Sequence, residues 1–227
     1  MRLSLAPAML AVLGAVSFAP AAAAGEYGVA YFGLRGSFVI TESGETQGLL
    51  YDYNEEYADG FAAALYMGWV LDESFRLEIE GGYRSADIDE VTIVRDDTLA
   101  YSPGDVVDAG GDAQVGTAMV NLYYDIHLFD GGILPWIGAG IGGAFVDYAI
   151  DDTSVPLITT FDGKDTTWVF AYQFMAGVTF PVAEGISMSI GYTYFQTQDF
   201  VYENVVAEEQ ETDLTQHSVD VGMQFHL

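Results

Sequence analysis

The sequence predicts an all-β fold, an eight-stranded antiparallel β-barrel that spans a membrane. Eight segments alternate between apolar residues and polar or small ones, as β-strands do because successive side chains point to opposite faces. The connections between these segments are alternately long and short, which is typical of a barrel with short turns at one rim and long loops at the other. The third segment also carries charged residues on one face, and this indicates which face of the strand points away from the lipid.

The charged segment, residues 75–84, is the most informative stretch of the chain. Its apolar face is formed by Phe75, Leu77, Ile79 and Tyr83, and its charged face by Arg76, Glu78, Glu80 and Arg84. One Arg on the lipid face at the bilayer midplane costs about 2–4 kcal/mol. Four outward charges would cost an amount comparable to the whole stability of a domain, about 5–15 kcal/mol. These charges are therefore predicted to point into the lumen.

In chain order, the predicted strands cover residues 27–39, 60–69, 75–84, 120–126, 136–148, 170–180, 186–194 and 218–227. Their predicted lipid-facing stripes contain, in the same order, Phe32, Leu65, Ile79, Leu122, Ile141, Phe174, Ile190 and Val221. Short periplasmic turns are predicted near residues 73, 131 and 183, and long extracellular loops over residues 40–59, 87–114, 147–166 and 196–215. Each stripe has roughly the 10 residues that a tilted strand needs to cross the lipid.

The chain is strongly acidic, with a formal net charge of −28 from six Lys plus Arg and 34 Asp plus Glu. Such a charge excludes nucleic acid as a partner, because the phosphate backbone would be repelled. Most of the acidic residues fall in the four long loops, where Arg95 and Lys164 are the cations. The chain has no cysteine, so its stability is expected to come from the closed hydrogen-bonded barrel and not from disulfides.

Residues 1–24 are predicted to be a cleaved signal peptide, and residues 25–227 the outer-membrane barrel domain. Arg2 supplies a positive charge, an apolar run follows, and Ala22 and Ala24 are the small residues that a signal peptidase reads. The alternative is an uncleaved membrane anchor.

The lumen is the main candidate site. Its predicted ion-pair network comprises Arg35, Arg76, Glu78, Glu80, Arg84 and Asp125, with Asn121, Tyr123 and Gln173 beside it. Buried charges persist only when they are paired and hydrogen-bonded. An eight-stranded barrel has an interior about wide enough for side chains to fill. The prediction is a plug of ion pairs that locks the barrel, and the alternative is a narrow conducting path.

No catalytic, cofactor or metal site is predicted. Residues 138–143 match G-x-G-x-x-G, but the alternation continues through them where a dinucleotide site needs a helix. His127 and His226 should lie at the short-turn rim and His217 at the loop side, so the histidines cannot form one site. His217 is expected to be at most a surface partner of Asp213 or Asp220.

Divalent cations at the acidic loops remain an open hypothesis. Asp87, Asp89 and Glu90 form one carboxylate cluster, and Asp151 and Asp152 form another. Neither has the spacing of a defined calcium loop. A solvated, self-repelling surface is the alternative.

With these residues in place, the chain resembles the opacity-type and OmpA-like eight-stranded outer-membrane β-barrels, including the alphaproteobacterial surface antigens. The resemblance is carried by residues 31–36, 75–84, 121–125, 135–142 and 172–182. It also implies an assembly signal at the C-terminus, formed by Asp220, Gly222, Phe225 and Leu227, with Leu227 standing where a phenylalanine is usual.

The resulting prediction is a non-enzymatic surface protein of the Gram-negative outer membrane, an anchor, adhesin or antigen that displays acidic loops. The alternative is a small porin or conduit for small solutes. The expected partners are outer-membrane lipids and lipopolysaccharide, the barrel-assembly machinery, and an extracellular or host ligand at the loops. A monomer is expected.

Overall fold

The computed structural model describes residues 29–47, 51–96, 102–127, 132–151, 163–203 and 209–227. These residues form antiparallel strands of one sheet: β1 Ala30–Thr41, β2 Gly44–Gln47, β3 Tyr51–Tyr57, β4 Gly60–Val70, β5 Phe75–Asp96, β6 Val106–Asp125, β7 Leu134–Asp151, β8 Gly163–Ala183, β9 Ile186–Thr197, β10 Phe200–Glu203, β11 Glu209–Thr212 and β12 Thr215–His226. The predicted signal peptide, residues 1–24, lies outside the described part of the chain. No helix in the described ranges is long and apolar enough to cross a membrane.

Eight of the strands close into a barrel. They pair in the order β5-β4-β1-β12-β9-β8-β7-β6, and the pairing of β5 with β6 completes the ring. The first and last strands of the chain are neighbours, with Leu34 opposite Met223. This arrangement confirms the predicted eight-stranded antiparallel barrel.

Short turns join the strands at one end of the barrel, here called the short-turn rim. Between β4 and β5, the Asp72 carboxylate accepts hydrogen bonds from the backbone N–H groups of Ser74 and Phe75, at 2.8 and 2.7 Å. An Asp that bonds the backbone two residues ahead is a common turn former. Between β8 and β9, Gly185 has φ +71°, a conformation that glycine adopts without steric cost.

The two faces of the barrel wall have opposite chemistry. In β1, the outward Phe32, Leu34 and Phe38 are 43–51% exposed, whereas the inward Tyr31 is 1% exposed. The same alternation runs through the other barrel strands and leaves a continuous apolar outer surface. A soluble monomer rarely exposes an apolar patch larger than a few hundred Å². This outer surface therefore requires lipid, which confirms the predicted inside-out amphipathicity.

The described residues of the predicted long loops are largely β-structure. At the end opposite the short turns, here called the long-loop rim, β5, β6, β7 and β8 continue beyond the lengths predicted for them. The strands β2, β3, β10 and β11 join them through the pairings β3–β5, β2–β3, β11–β2 and β10–β11. We call this structure the β extension. Its sequence is acidic and has no apolar stripe as long as those of the barrel strands, so alternation did not reveal it, and its strands are joined by backbone pairing.

Candidate functional site

The strongest ion pair in the lumen joins Arg76 and Asp125. The Arg76 Nε and Nη2 atoms donate to the two carboxylate oxygens of Asp125 at 2.7 and 2.8 Å. The register places Arg76 opposite Tyr123, two residues before Asp125 on the same inward face of β6. Both charged side chains are over nine-tenths buried. Bidentate geometry is the strongest form of this pair.

A second group of contacts surrounds Arg35. Its Nη1 donates to Glu80 Oε2 at 3.1 Å, and its Nη2 donates to the Tyr123 hydroxyl at 3.0 Å. The same Nη2 lies 3.7 Å from Glu78 Oε2. Asn121 donates to Glu80 Oε2 at 3.0 Å. Because Arg35 lies in β1 and the two acids in β5, these contacts reach across β4 and tie non-adjacent strands together.

Tyr31 links the two groups. Its hydroxyl donates to Glu78 Oε1 at 2.7 Å and accepts from Arg76 Nη1 at 3.1 Å. Arg76 Nη1 also lies 3.6 Å from Glu78 Oε1. The structure thus brings five of the predicted lumen residues into one connected network, with aromatic hydroxyls completing it.

Arg84, the sixth predicted residue, joins this network only through two amides, since Gln173 donates to Asn121 Oδ1 at 2.8 Å and Asn121 donates to Glu80. Arg84 is buried, and its Nη2 donates to the amide oxygen of Gln173 at 3.4 Å. Its guanidinium lies over the Phe195 ring, 4.4 Å from the centroid. Within the described part of the chain, no carboxylate oxygen lies within 4.0 Å of it. The sequence predicted an ion-paired Arg84, and the structure instead gives it an amide and an aromatic face.

The aromatic filling of the lumen was predicted only at Tyr123. Tyr31 lies opposite Gly68, Tyr66 opposite Gly33 and Tyr123 opposite Gly138. A Cβ on any of these glycines would overlap the facing tyrosine ring. Each inward tyrosine therefore lies flat over a cross-strand glycine. In the sequence, these pairs are inward-facing glycines that lie opposite inward-facing tyrosines on the next strand. They can be recognised only when the register of the two strands is known.

Trp136 closes the short-turn side of the filling. Its ring meets Tyr123 edge to face at a centroid distance of 5.3 Å, and Met175 completes the buried cluster. The indole N–H donates to Thr179 Oγ1 at 3.0 Å. At this level, side chains occupy the interior.

The four predicted assembly-signal residues lie at the end of β12 and just beyond it. Asp220 points inward and accepts hydrogen bonds from Thr193 at 2.5 Å and Ser218 at 2.9 Å. Gly222 also faces the lumen, opposite Arg35. Phe225 faces outward and stacks on Phe32 at a centroid distance of 5.1 Å. Leu227 is exposed, and its backbone N–H donates to Ala30 at 3.0 Å.

His217 contacts neither Asp213 nor Asp220, the two acids named as its possible surface partners. Asp220 points into the lumen, whereas His217 lies on the outer face of β12. There its Nε2 is 2.5 Å from Glu42 Oε1, and its Nδ1 is in hydrogen-bond contact with the Tyr192 hydroxyl. This contact ties β12 to β1 and β9 at the long-loop rim.

The remaining candidate sites are the glycine-rich residues 138–143 and the acidic clusters considered for metal binding. Residues 138–143 lie within β7, so their glycines belong to a strand and open no helix. The described residues contain no cluster of three His, Asp or Glu that could hold a metal. The side chains of Asp87, Asp89, Glu90, Asp151 and Asp152 lie outside the described set, so the cation hypothesis stays open.

Comparison with known proteins agrees with this architecture. The structure is similar to the outer membrane protein OprG from Pseudomonas aeruginosa, at 12% identity and a TM-score of 0.57 over 88% of this chain and 98% of that one. It is also similar to Neisserial surface protein A, at 11% identity and a TM-score of 0.51 over 86% of this chain and 96% of that one. A third neighbour is the outer membrane protein AlkL, at 16% identity and a TM-score of 0.50 over 93% and 96% of the two chains. At these identities the likeness shows the fold alone.

The chain is therefore an eight-stranded outer-membrane β-barrel protein of the Gram-negative type. The family model described as "Surface antigen" matches residues 39–225, and the chain belongs to that family. Uncharacterized proteins of Brucella abortus and Brucella suis are 39% identical to it over 88 residues, which is 37% of this chain. The matched segment spans 31% of the length of these relatives.

Proposed function

We propose that the barrel is a closed anchor that holds the acidic β extension at the cell surface as an antigen or adhesin. The observation that carries the proposal is the network of Arg35, Arg76, Glu78, Glu80 and Asp125, which crosses the lumen between non-adjacent strands. An ion moving through the barrel would have to separate these buried pairs. Separating a buried pair costs about 3–5 kcal/mol, since one charge loses its partner.

The aromatic filling supports the same proposal. Tyr31 and Tyr123 are 1% and 2% exposed and lie in the same section of the barrel as the ion pairs. An eight-stranded barrel has an interior about wide enough for side chains alone. A conducting path would need these rings to leave the lumen, and each of them is hydrogen-bonded to a charged side chain.

Single-channel recording in planar lipid bilayers tests the proposal. We expect no steady conductance from the wild-type barrel. The matched control is the double variant Arg35→Ala/Tyr123→Ala, which removes one guanidinium and one ring from the lumen and should produce openings. Steady conductance of the wild type, at a level that the double variant does not increase, would favour a small porin instead.

We also propose that the barrel-assembly machinery reads Asp220, Gly222, Phe225 and Leu227. Support comes from the alternation of these residues, since two point into the lumen and two point outward on the last strand. That strand pairs with β1 along its whole length. Its registration is therefore the step that closes the barrel.

Replacing Phe225 by Ala is expected to lower the amount of folded barrel in cells several-fold, as measured by heat-modifiable gel mobility of outer-membrane fractions. Phe32→Ala is the control, because it removes the same ring stack without touching the terminal signal. The two variants should fold equally well in detergent. Equal losses in cells would show that the ring stack, and not recognition, explains the effect.

A further inference from the structure

A band of polar side chains crosses the outer face of the barrel at the long-loop rim. We call it the outer polar patch, and its members are Glu42, Tyr192, Tyr194, Gln196, Asp213 and His217. It borders the lipid-covered surface, because the next outward residues towards the short turns are exposed and aliphatic, namely Ile40, Ile190 and Val219. The patch therefore lies at the level where lipid headgroups begin.

Hydrogen bonds within the patch leave one carboxylate oxygen of Asp213 unused. The Tyr194 hydroxyl donates to Gln196 Oε1 at 2.6 Å, and the Tyr172 hydroxyl of β8 donates to the same oxygen. The Gln196 Nε2 atom donates to Asp213 Oδ2 at 3.5 Å, and the Thr215 hydroxyl donates to that atom at 3.2 Å. Among the described residues, no donor reaches the other oxygen, Asp213 Oδ1.

Glu42 supplies a second unused carboxylate oxygen. Its Oε1 atom lies 2.5 Å from His217 Nε2, whereas no donor in the described part of the chain reaches Oε2. The Glu42 side chain is 58% exposed. The two acids are close to each other, because the Glu42 backbone N–H donates to the Thr215 carbonyl at 3.0 Å and the Thr215 hydroxyl contacts Asp213. A single headgroup can therefore meet both free oxygens.

The patch is negatively charged and rich in aromatic rings. His217 can offset one of the two carboxylates at most, and the arginines whose side chains are described all face the lumen. The His217 ring centroid lies 5.4 Å from that of Tyr194 and 5.9 Å from that of Tyr192. The face of a tyrosine ring attracts a cation. A cationic group therefore suits this surface, and an anionic one does not.

We propose that the outer polar patch binds the primary ammonium group of a membrane phospholipid with an ethanolamine headgroup. A lipid whose acyl chains cover Ile40, Ile190 and Val219 brings its headgroup to this level. The ammonium group ends that headgroup, so it reaches the carboxylates while the phosphate stays nearer to the acyl chains. A primary ammonium group has N–H donors for the two unused oxygens, and a quaternary one has none. The site needs only the membrane location of the barrel and is independent of whether the lumen conducts.

Mass spectrometry of the folded barrel released intact from detergent micelles tests this proposal. Phosphatidylethanolamine, phosphatidylcholine and phosphatidylglycerol with identical acyl chains are supplied at equal concentration. The ethanolamine lipid is expected to be retained roughly three- to fivefold more than either of the others, the preference that one exposed ion pair or cation–π contact gives. The double variant Glu42→Gln/Asp213→Asn should lose this preference. The control Glu184→Gln removes an exposed carboxylate from the β8–β9 turn at the opposite rim and should keep it.

Equal retention of the ethanolamine and glycerol lipids by the wild type would overturn the proposal. Equal retention of the ethanolamine and choline lipids would show that no N–H donor is needed, which would also overturn it. A preference that persists in the double variant would place the lipid elsewhere on the barrel. Because the three lipids are compared on the wild type, the test does not depend on the folding of the variant.

Discussion

Replacing Arg76 by alanine is expected to destabilise the folded barrel by about 3–5 kcal/mol, because Asp125 would stay buried without its bidentate partner. The pair is short, at 2.7 and 2.8 Å, and both side chains are over nine-tenths buried. Solvent therefore cannot replace the lost contact. Equilibrium urea unfolding in lipid vesicles measures the loss.

The double variant Arg76→Ala/Asp125→Ala is the control for this prediction. Removing both partners leaves no unpaired charge, so the double variant should recover part of the stability that Arg76→Ala loses. An unchanged unfolding midpoint for Arg76→Ala would show that the network does not hold the barrel together. That result would remove the main support for a closed lumen.

Replacing Gly68 by alanine is the second change with a large expected effect. The added Cβ would lie 2.6 Å from Tyr31 Cε2, so the ring must move. Overpacking of this kind costs about 1–3 kcal/mol. The moved ring would also lose its hydrogen bonds to Glu78 and Arg76, and a bond to a charged group contributes about 1.5–3 kcal/mol. The measurement is again urea unfolding in vesicles.

Gly36 offers a matched control for this substitution. It faces lipid, and a Cβ placed on it meets nothing within 4 Å, so Gly36→Ala should leave the unfolding midpoint unchanged. In a Tyr31→Ala background, Gly68→Ala should cost little, because the ring with which it collides is gone. If Gly68→Ala shifted the unfolding midpoint equally in both backgrounds, glycine would be needed at position 68 for the backbone conformation and not to make room for the Tyr31 ring.

The barrel strands and their two faces could be predicted because lipid imposes a simple rule on the sequence. Every second residue of a spanning strand must be apolar, and this alternation is visible in residues 75–84 without any knowledge of the neighbours. The inward direction of Arg76 followed from the cost of charge in lipid. These predictions depend on one strand at a time.

The contacts inside the lumen could not be predicted in the same way. The partner of Arg84 is Gln173, on a strand that is not its neighbour, and this depends on the register of the whole ring. The tyrosine–glycine pairs likewise need the alignment of two strands. The alternation of residues predicts which side chains face inward, but it does not predict which strand across the lumen each side chain contacts.

The β extension was missed because no lipid covers it. Residues 51–57 form strand β3, although their sequence, YDYNEEY, is short and acidic and contains no aliphatic residue. Their strand conformation comes from pairing with β2 and β5, which continue the ladder of the barrel. The signal of such a strand in its own sequence is weak, and its conformation depends on the neighbouring strands.

The β extension has a consequence for recognition at the cell surface. Separate loops would each lose conformational freedom when a receptor or antibody bound them, at about 1–2 kcal/mol for every residue fixed. Hairpins that are already hydrogen-bonded to one another, as at Glu211 and Gln47 between β11 and β2, have given up that freedom during folding. A protein that binds these hairpins therefore meets a preformed surface. Less of the favourable contact free energy is offset by ordering the hairpins, so the affinity is higher. Under the proposed antigen role, a substitution in one hairpin would also change the shape that a binder meets on the next hairpin.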